Sequence, residues 1–275
     1  NEFIRINLNY FYNHIIKQNS KIKKFNFNDC SLMNCVYAGS YIKNNKSILK
    51  TIIEFENIFK LRGNVIPISN KNLFLSAILE NGKILESEDS IINKKIKKKI
   101  KQLVITKKPT NIILQKPYNV NSYKKLLTHN YKYKISSNAI KTIKKTDLLI
   151  FSPGTLYSSL LPTYLSSGFK KALLSNKKLK KMFFTNIKNE FDTLNYNAID
   201  YINKSLDYIN IKKINERKYF FDYIYINQTN NINSKSFVKF DIEIKDYFSK
   251  IYIKKLEDKK SLHNVQTLIK IINNI

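Results

Sequence analysis

Hydroxyl and amide side chains grouped around bare backbone are the residue types that hold phosphate, and one stretch of this chain carries them. Ser152-Pro153-Gly154-Thr155-Leu156-Tyr157-Ser158-Ser159 follows the apolar run Leu148-Leu149-Ile150-Phe151, in a sequence with only five glycines and five prolines. An apolar strand, a small turn and a helix make a β-loop-α unit, and in open α/β sheets ligands bind beyond the carboxyl ends of the strands. Gly154 lets a ligand approach the backbone closely, and Thr155 is placed to cap the helix with its hydroxyl toward a cleft. The amides near Leu156 to Ser158 that open the helix are donors suited to an anion. A tight strand-to-helix turn with no ligand fits the same residues.

Two more stretches carry candidate chemistry. Phe183-Phe184-Thr185-Asn186 closes a second strand, and its loop reaches Asp192-Thr193 before a helix containing Asp200. Consecutive strands are usually neighbours, which puts Asn186 beside the first turn, where an amide reads a base or sugar. In an Asn-rich chain it is equally a loop residue. Asn28-Asp29-Cys30-Ser31-Leu32-Met33-Asn34 is the third stretch and says little alone. His14, His129 and His263 are scattered, so no Ser-His-Asp arrangement emerges. His263 is expected near a helix start as a surface or cap residue, and Glu86, Glu88 and Asp89 read as a solvated edge.

The elements that must position these residues follow from periodicity. Residues 1–24 read as a helix, with Phe3, Ile4, Leu8, Phe11 and Ile15 at helical spacing. Residues 31–42 are small and mixed. Ser47 opens a helix whose stripe is Ile48, Ile52, Phe55 and Phe59, ending before Gly63. Val65 to Ser69 and Leu73 to Leu79 look like strands, and Asn81-Gly82 turns the second into a hairpin through Ile84-Leu85. Strands are then expected at 103–106, 112–114, 147–151, 181–185, 220–226 and 250–254. Helices are expected at 137–144, 156–174, 196–209 and 261–272. Strands alternating with helices predict an α/β fold built on a mostly parallel sheet with helices on both faces. The chain reads as one incomplete domain, with a helical and hairpin portion over 1–101 and an alternating portion over 102–275.

Composition narrows the partners. The net charge is +29, from 49 basic and 20 acidic residues, which points toward polyanions. Only Arg5, Arg62 and Arg217 are arginines, however, although Arg is the preferred reader of phosphate and guanine. Lys, Asn, Ile, Tyr and Phe rise together, as codon drift in an AT-rich genome produces, so a nucleic-acid partner is not expected. The dense run from Lys94 to Lys101 reads as a solvated helix face or charged linker. No apolar run has the length of a membrane span, and no signal-peptide pattern opens the chain. Cys30 and Cys35 form neither a zinc site nor a disulfide framework, so a reducing cytoplasmic compartment is expected.

Five segments in order carry a resemblance. FNFNDCSLMNCVYAGSYI, RGNVIPIS, LFLSAILENGKILESEDSI, TDLLIFSPGTLYSSLLPTYLSSGFKKAL and FFTNIKNEFDTLNYNAIDYI, within residues 25–227, resemble the 2-phospho-L-lactate transferase superfamily. That superfamily also contains the gluconeogenesis-factor proteins. Its forms are a Ser-x-Gly-Asn segment, a Gly-x-Val-leu-Pro strand, an Asp-Gly hairpin, a Gly-Pro-Gly-Ser-leu-Tyr-Thr-Ser string, and an Asn with Glu-Thr before a helix carrying Asp-His.

The resemblance implies a Rossmann-like α/β fold with an inserted helix and β-hairpin region, and a cleft that binds a nucleotide, a nucleotide sugar or another nucleotide-linked small molecule. In the transferases a phospholactyl-type group moves from a guanylylated donor, and the gluconeogenesis-factor branch binds nucleotide sugars and regulates. Carried onto this sequence, the implied binding residues are Ser31, Asn34, Ser152, Gly154, Thr155, Tyr157, Ser158, Asn186, Thr193 and Asp200. Met33, Ser152, Asn81, Ser87 and Tyr201 depart from the family pattern. The family's opening glycine-rich loop and its Asp-Asp-Gly-Gly metal segment have no counterpart. The chain therefore reads as an N-terminally incomplete member, in which Mg²⁺ is implied only with the upstream portion. A homodimer is among the expected partners.

Overall fold

The computed structural model describes residues 2–19, 27, 30–93, 98–229, 236–240 and 243–275. Two compact units emerge, Asn1–Asn70 and Lys71–Ile275. Residues 20–24 of the expected first helix, Asn28, Asn26, Asp29 and residues 94–97 of the lysine run lie outside the described residues.

In the first unit, α1 (Glu2–Asn19), α2 (Leu32–Lys43) and α3 (Ile48–Ile58) are helical. Ser47 caps α3 by accepting the Lys50 amide at 3.4 Å, as its position in the sequence predicts. Helix α2 occupies residues that periodicity had left unassigned. Its start is set by Ser31, whose hydroxyl accepts the Asn34 amide at 3.1 Å. Helices α1 and α2 cross closely at Gly39, where a Cβ would stand 1.7 Å from the Asn7 carbonyl oxygen. The strand expected at Val65–Ser69 is absent; Pro67 interrupts that stretch and has no amide to give a ladder.

The second unit opens with the hairpin of β1 (Phe74–Leu79) and β2 (Ile84–Leu85), with Gly82 in the left-handed region at φ +80°. Helix α4 (Glu88–Ile91) follows, capped by Ser87, and Glu88 and Asp89 sit in its first turn. β3 (Ile100–Thr106) then pairs antiparallel with β1, so the strand expected to begin the alternating portion completes the hairpin's sheet instead. It is an edge strand with its amides covered: Leu103 donates to the Tyr208 hydroxyl at 3.1 Å and Ile105 to Asn130 Oδ1 at 3.0 Å.

Three helices come next: α5 (Thr110–Ile113), α6 (Val120–Thr128) and α7 (Ser137–Lys145). The strand expected at 112–114 falls on α5, because Pro109 fixes a helix-starting φ of −55° ahead of it. The remaining elements are β4 (Leu148–Phe151), α8 (Leu161–Tyr164), α9 (Phe169–Ser175), β5 (Lys180–Phe184), α10 (Ala198–Ile209), α11 (Ile214–Tyr219), β6 (Tyr223–Asn227), α12 (Ile244–Tyr247), β7 (Ile251–Lys254) and α13 (Val265–Ile272).

Strands β4-β5-β6-β7 form a parallel sheet in chain order, flanked by helices, as the alternating pattern predicts. Phe151, Phe183 and Phe221 pack together, and Met182, Phe184, Tyr225, Leu256 and Ile271 form a second cluster. The helix expected over 156–174 is broken. A wide π-helical turn at Leu156–Leu160 leads into α8, and Gly168 at φ +97° separates α8 from α9.

Candidate functional site

β4 and β5 run side by side, with Ile150 opposite Met182 and Phe151 opposite Phe183. Their carboxyl ends therefore release the turn from Ser152 and the Asn186 loop next to one another. The Asn186 side chain bonds the backbone of Gly154 at both ends: Nδ2 donates to the carbonyl at 3.0 Å, and Gly154 N donates to Oδ1 at 3.3 Å. Asn186 is buried. Its amide holds the turn through these two bonds.

Gly154 itself has no structural need to be glycine. Its φ is outside the left-handed region, and a Cβ would meet only the Leu160 side chain, at 3.6 Å. Ser152 is exposed beside it, and Pro153, Gly154 and Thr155 are half-buried. Three hydroxyls cluster at the turn. Thr155 Oγ1 lies 2.6 Å from Ser159 Oγ and accepts from Ser158 Oγ at 2.8 Å. Thr155 stands at the cap position, yet its side chain makes no capping bond, contrary to expectation.

The cap comes from Asp192. Its Oδ2 accepts the Tyr157 amide at 2.8 Å, so this helix-opening donor, expected to face an anion, is already taken by an internal carboxylate. Asp192 is 3% exposed, and its Oδ1 has no hydrogen-bond partner among the described residues. Burial pushes its carboxyl up to about 6, against the opposing pull of the Tyr157 amide.

Tyr157, Thr193 and Asp200 are hydrogen-bonded within the fold. The fully buried Tyr157 hydroxyl is 2.6 Å from the Tyr196 hydroxyl and donates to the Ile100 carbonyl at 3.2 Å. Thr193 Oγ1 accepts from Tyr201 at 2.7 Å and from the Glu190 amide at 3.0 Å. Asp200 Oδ2 accepts the Asn197 amide at 3.0 Å in the capping box of α10. Ser158 is buried. Ser31 and Asn34 lie together in the first unit, both exposed, joined by the cap of α2.

Sequence reasoning gave no site role to three residues at this end of the sheet. Besides Asp192 they are Asn227, at the end of β6, whose Oδ1 accepts the Leu256 amide at 2.8 Å, and His263. His263 precedes a helix start, next to the Asn264 cap of α13, and is half-buried there. Its Nε2 is 3.3 Å from the Thr185 carbonyl, next to Asn186; a carbonyl only accepts, so Nε2 carries the proton. Burial holds the His263 pKa below the ordinary imidazole range. The Asn264-x-x-Thr267 cap was the available signal for its place.

The carboxylates present do not suit Mg²⁺. No group of three or more His, Cys, Asp and Glu gathers among the described residues. Asp192 and Asp200 already accept backbone amides. Glu86 pairs with Lys116 at 2.6 Å. A groove of about 990 Å³ lies elsewhere in this unit, between the hairpin turn and the start of α6, and Lys83, Lys101, Tyr118 and Tyr123 line it. No helix among the described residues is long and apolar enough to cross a membrane.

Residues 17–255 match the family described as 2-phospho-L-lactate transferase CofD. The chain belongs to that family. It is also similar to a putative gluconeogenesis factor of Aquifex aeolicus, 30% identical over 60% of this chain and 44% of that protein. A gluconeogenesis factor of Halalkalibacterium halodurans is 27% identical over 58% of this chain and 42% of its own length. A putative gluconeogenesis factor of Thermotoga maritima is 25% identical over 80% of this chain and 66% of that protein. The chain thus spans under half the length of the first two relatives. A crystal structure of a UPF0052 family member from Bacillus halodurans superposes with a TM-score of 0.67. At 22% identity, over 88% of this chain and 71% of that one, it shares the fold. The CofD resemblance read from the five ordered segments is borne out.

Proposed function

We propose that the turn from Ser152 to Thr155 binds the phosphate of a nucleotide or of a nucleotide-linked phosphoryl donor. In the CofD family such binding would serve transfer of a phospholactyl-type group. One observation carries the reading: Gly154 is bare at the carboxyl edge of the sheet although neither its φ nor its packing asks for glycine. A residue with no Cβ and no internal reason for lacking one leaves room for something from outside. Ser152 is exposed beside it, the Thr155 and Ser159 hydroxyls pair at 2.6 Å, and the Asn186 clamp fixes the turn before a ligand arrives. No covalent nucleophile is placed there, so the turn's chemistry is positioning and charge stabilisation.

A second reading is a nucleotide-sugar-binding regulator without turnover, which the resemblance to the gluconeogenesis-factor branch implies; the relatives carry that branch's name. Calorimetry against GTP, GDP and UDP-sugars, with and without Mg²⁺, separates the two. Preference for a guanine nucleotide supports the donor reading, and metal-independent preference for a UDP-sugar supports the regulator. Gly154→Ala should leave the melting temperature near that of the parent while weakening binding at least tenfold, and Tyr118→Ala in the distant groove should leave binding unchanged. Loss of binding in Tyr118→Ala with full binding in Gly154→Ala would move the site to the groove.

A further inference from the structure

The first unit holds both cysteines of the 275-residue chain, Cys30 and Cys35, at the two ends of one helix cap. Ser31 is the cap of α2, so Cys30 is the residue before the cap and Cys35 is the fourth residue of the helix. Side chains at those two positions meet across the first turn, where apolar pairs usually staple the incoming chain to the helix. Here the pair consists of two thiols. Backbone bonds fix both partners: the Cys30 amide donates to the Phe27 carbonyl at 3.1 Å and the Cys35 amide to the Ser31 carbonyl at 3.2 Å. Cys30 is exposed and Cys35 is buried.

We propose that Cys30 and Cys35 are a modification site, closing into a reversible disulfide by exchange with a low-molecular-weight disulfide such as glutathione disulfide. The exposed Cys30 thiolate attacks glutathione disulfide, forms a mixed disulfide and expels one glutathione thiolate. The Cys35 thiolate then attacks the Cys30 sulfur and expels the second. Two electrons pass to glutathione disulfide, and the two thiol protons end on the two glutathione thiols released. Burial raises the Cys35 thiol pKa, which leaves Cys30 the first to react. The closed bond brackets Ser31 and Asn34 and locks the cap they form.

Intact-mass measurement after incubation of the folded chain with glutathione disulfide tests this. The parent should end about 2 mass units lighter with both thiols closed to alkylation, as a two-electron oxidation requires. Cys35→Ser should stop at a glutathione adduct on Cys30, and Cys30→Ser should react far more slowly than the parent. Closure in the folded chain should outpace closure in urea about tenfold or more, because the cap preorganises the thiols. A parent that accumulates the glutathione adduct, remains unreacted, or closes no faster folded than unfolded overturns the proposal.

Discussion

Asn186 and Gly154 are joined by two hydrogen bonds across the ends of β4 and β5, one to the Gly154 carbonyl at 3.0 Å and one from its amide at 3.3 Å. A side-chain amide has the same donor and acceptor as a peptide group. Asn186 therefore continues the sheet's pairing for one step beyond the strands and sets where the turn leaves. Asn186→Ala removes both bonds and leaves the turn's backbone to find water, and the expected cost is about 1–3 kcal/mol in urea unfolding. Asn186→Asp keeps the acceptor for the Gly154 amide, sets a carboxylate against the Gly154 carbonyl, and adds negative charge beside the proposed phosphate. Its nucleotide affinity should fall more than its stability does, in calorimetry and urea titration run side by side.

Asp192 gives the fold a pH signature. Its carboxyl stands at about 6 in the folded chain against 3.8 for the unperturbed group, so the folded state holds the proton more tightly. Between about pH 4 and pH 6 the native state binds more protons than the unfolded one, and stability from this group declines as pH rises. Asp192→Asn keeps an acceptor for the Tyr157 amide and cannot titrate. The variant should gain on the parent through that window by on the order of 1–3 kcal/mol and hold level above it. Urea midpoints from pH 4 to 7.5 measure the difference, and a flat difference would show that the carboxyl is not raised.

Much of the fold could be read from residue patterns because the patterns were local. The Asn81-Gly82 turn, the Ser47 cap and the apolar strands from β4 to β7 each declare themselves within a few residues. Helix α2 and the broken helix after Ser152 were not legible, since one depends on a single cap and the other on Gly168 in a left-handed conformation. β3 shows the same limit: its residues read as a strand, but its partner β1 is a choice of tertiary structure. At the site, the turn and its neighbour Asn186 were visible as residue types. What they do was not, because Asp192 takes the Tyr157 amide from 35 positions away and Asn186 reaches Gly154 across 32.

Tyr157 ties the turn to the antiparallel sheet. Its buried hydroxyl sits between the Tyr196 hydroxyl and the Ile100 carbonyl at the start of β3. Tyr157→Phe leaves the ring in place and strands both partners, with an expected loss of about 1–3 kcal/mol. Tyr196→Phe in the same background should cost less than it does alone, since the pair shares one bond. A double-mutant cycle by urea unfolding checks this, and full additivity would mean the two hydroxyls do not interact.

Gly39 is where the first unit has no room. A Cβ there would stand 1.7 Å from the Asn7 carbonyl oxygen and 2.5 Å from its carbonyl carbon, both backbone atoms of α1. Neither atom belongs to a flexible side chain that turns aside, so Gly39→Ala must push α1 off α2 or bend it. Ala is the better helix former and favours α2 by about 1 kcal/mol, so any destabilisation comes from the crossing and not from the helix itself. Overpacking of this kind costs on the order of 3 kcal/mol or more. Gly63→Ala is the control, because nothing lies within 4 Å of its Cβ position. Hydrogen exchange should show α1 amides exchanging much faster in Gly39→Ala and unchanged in Gly63→Ala; protection of α1 retained in both would mean the helices do not cross at this glycine.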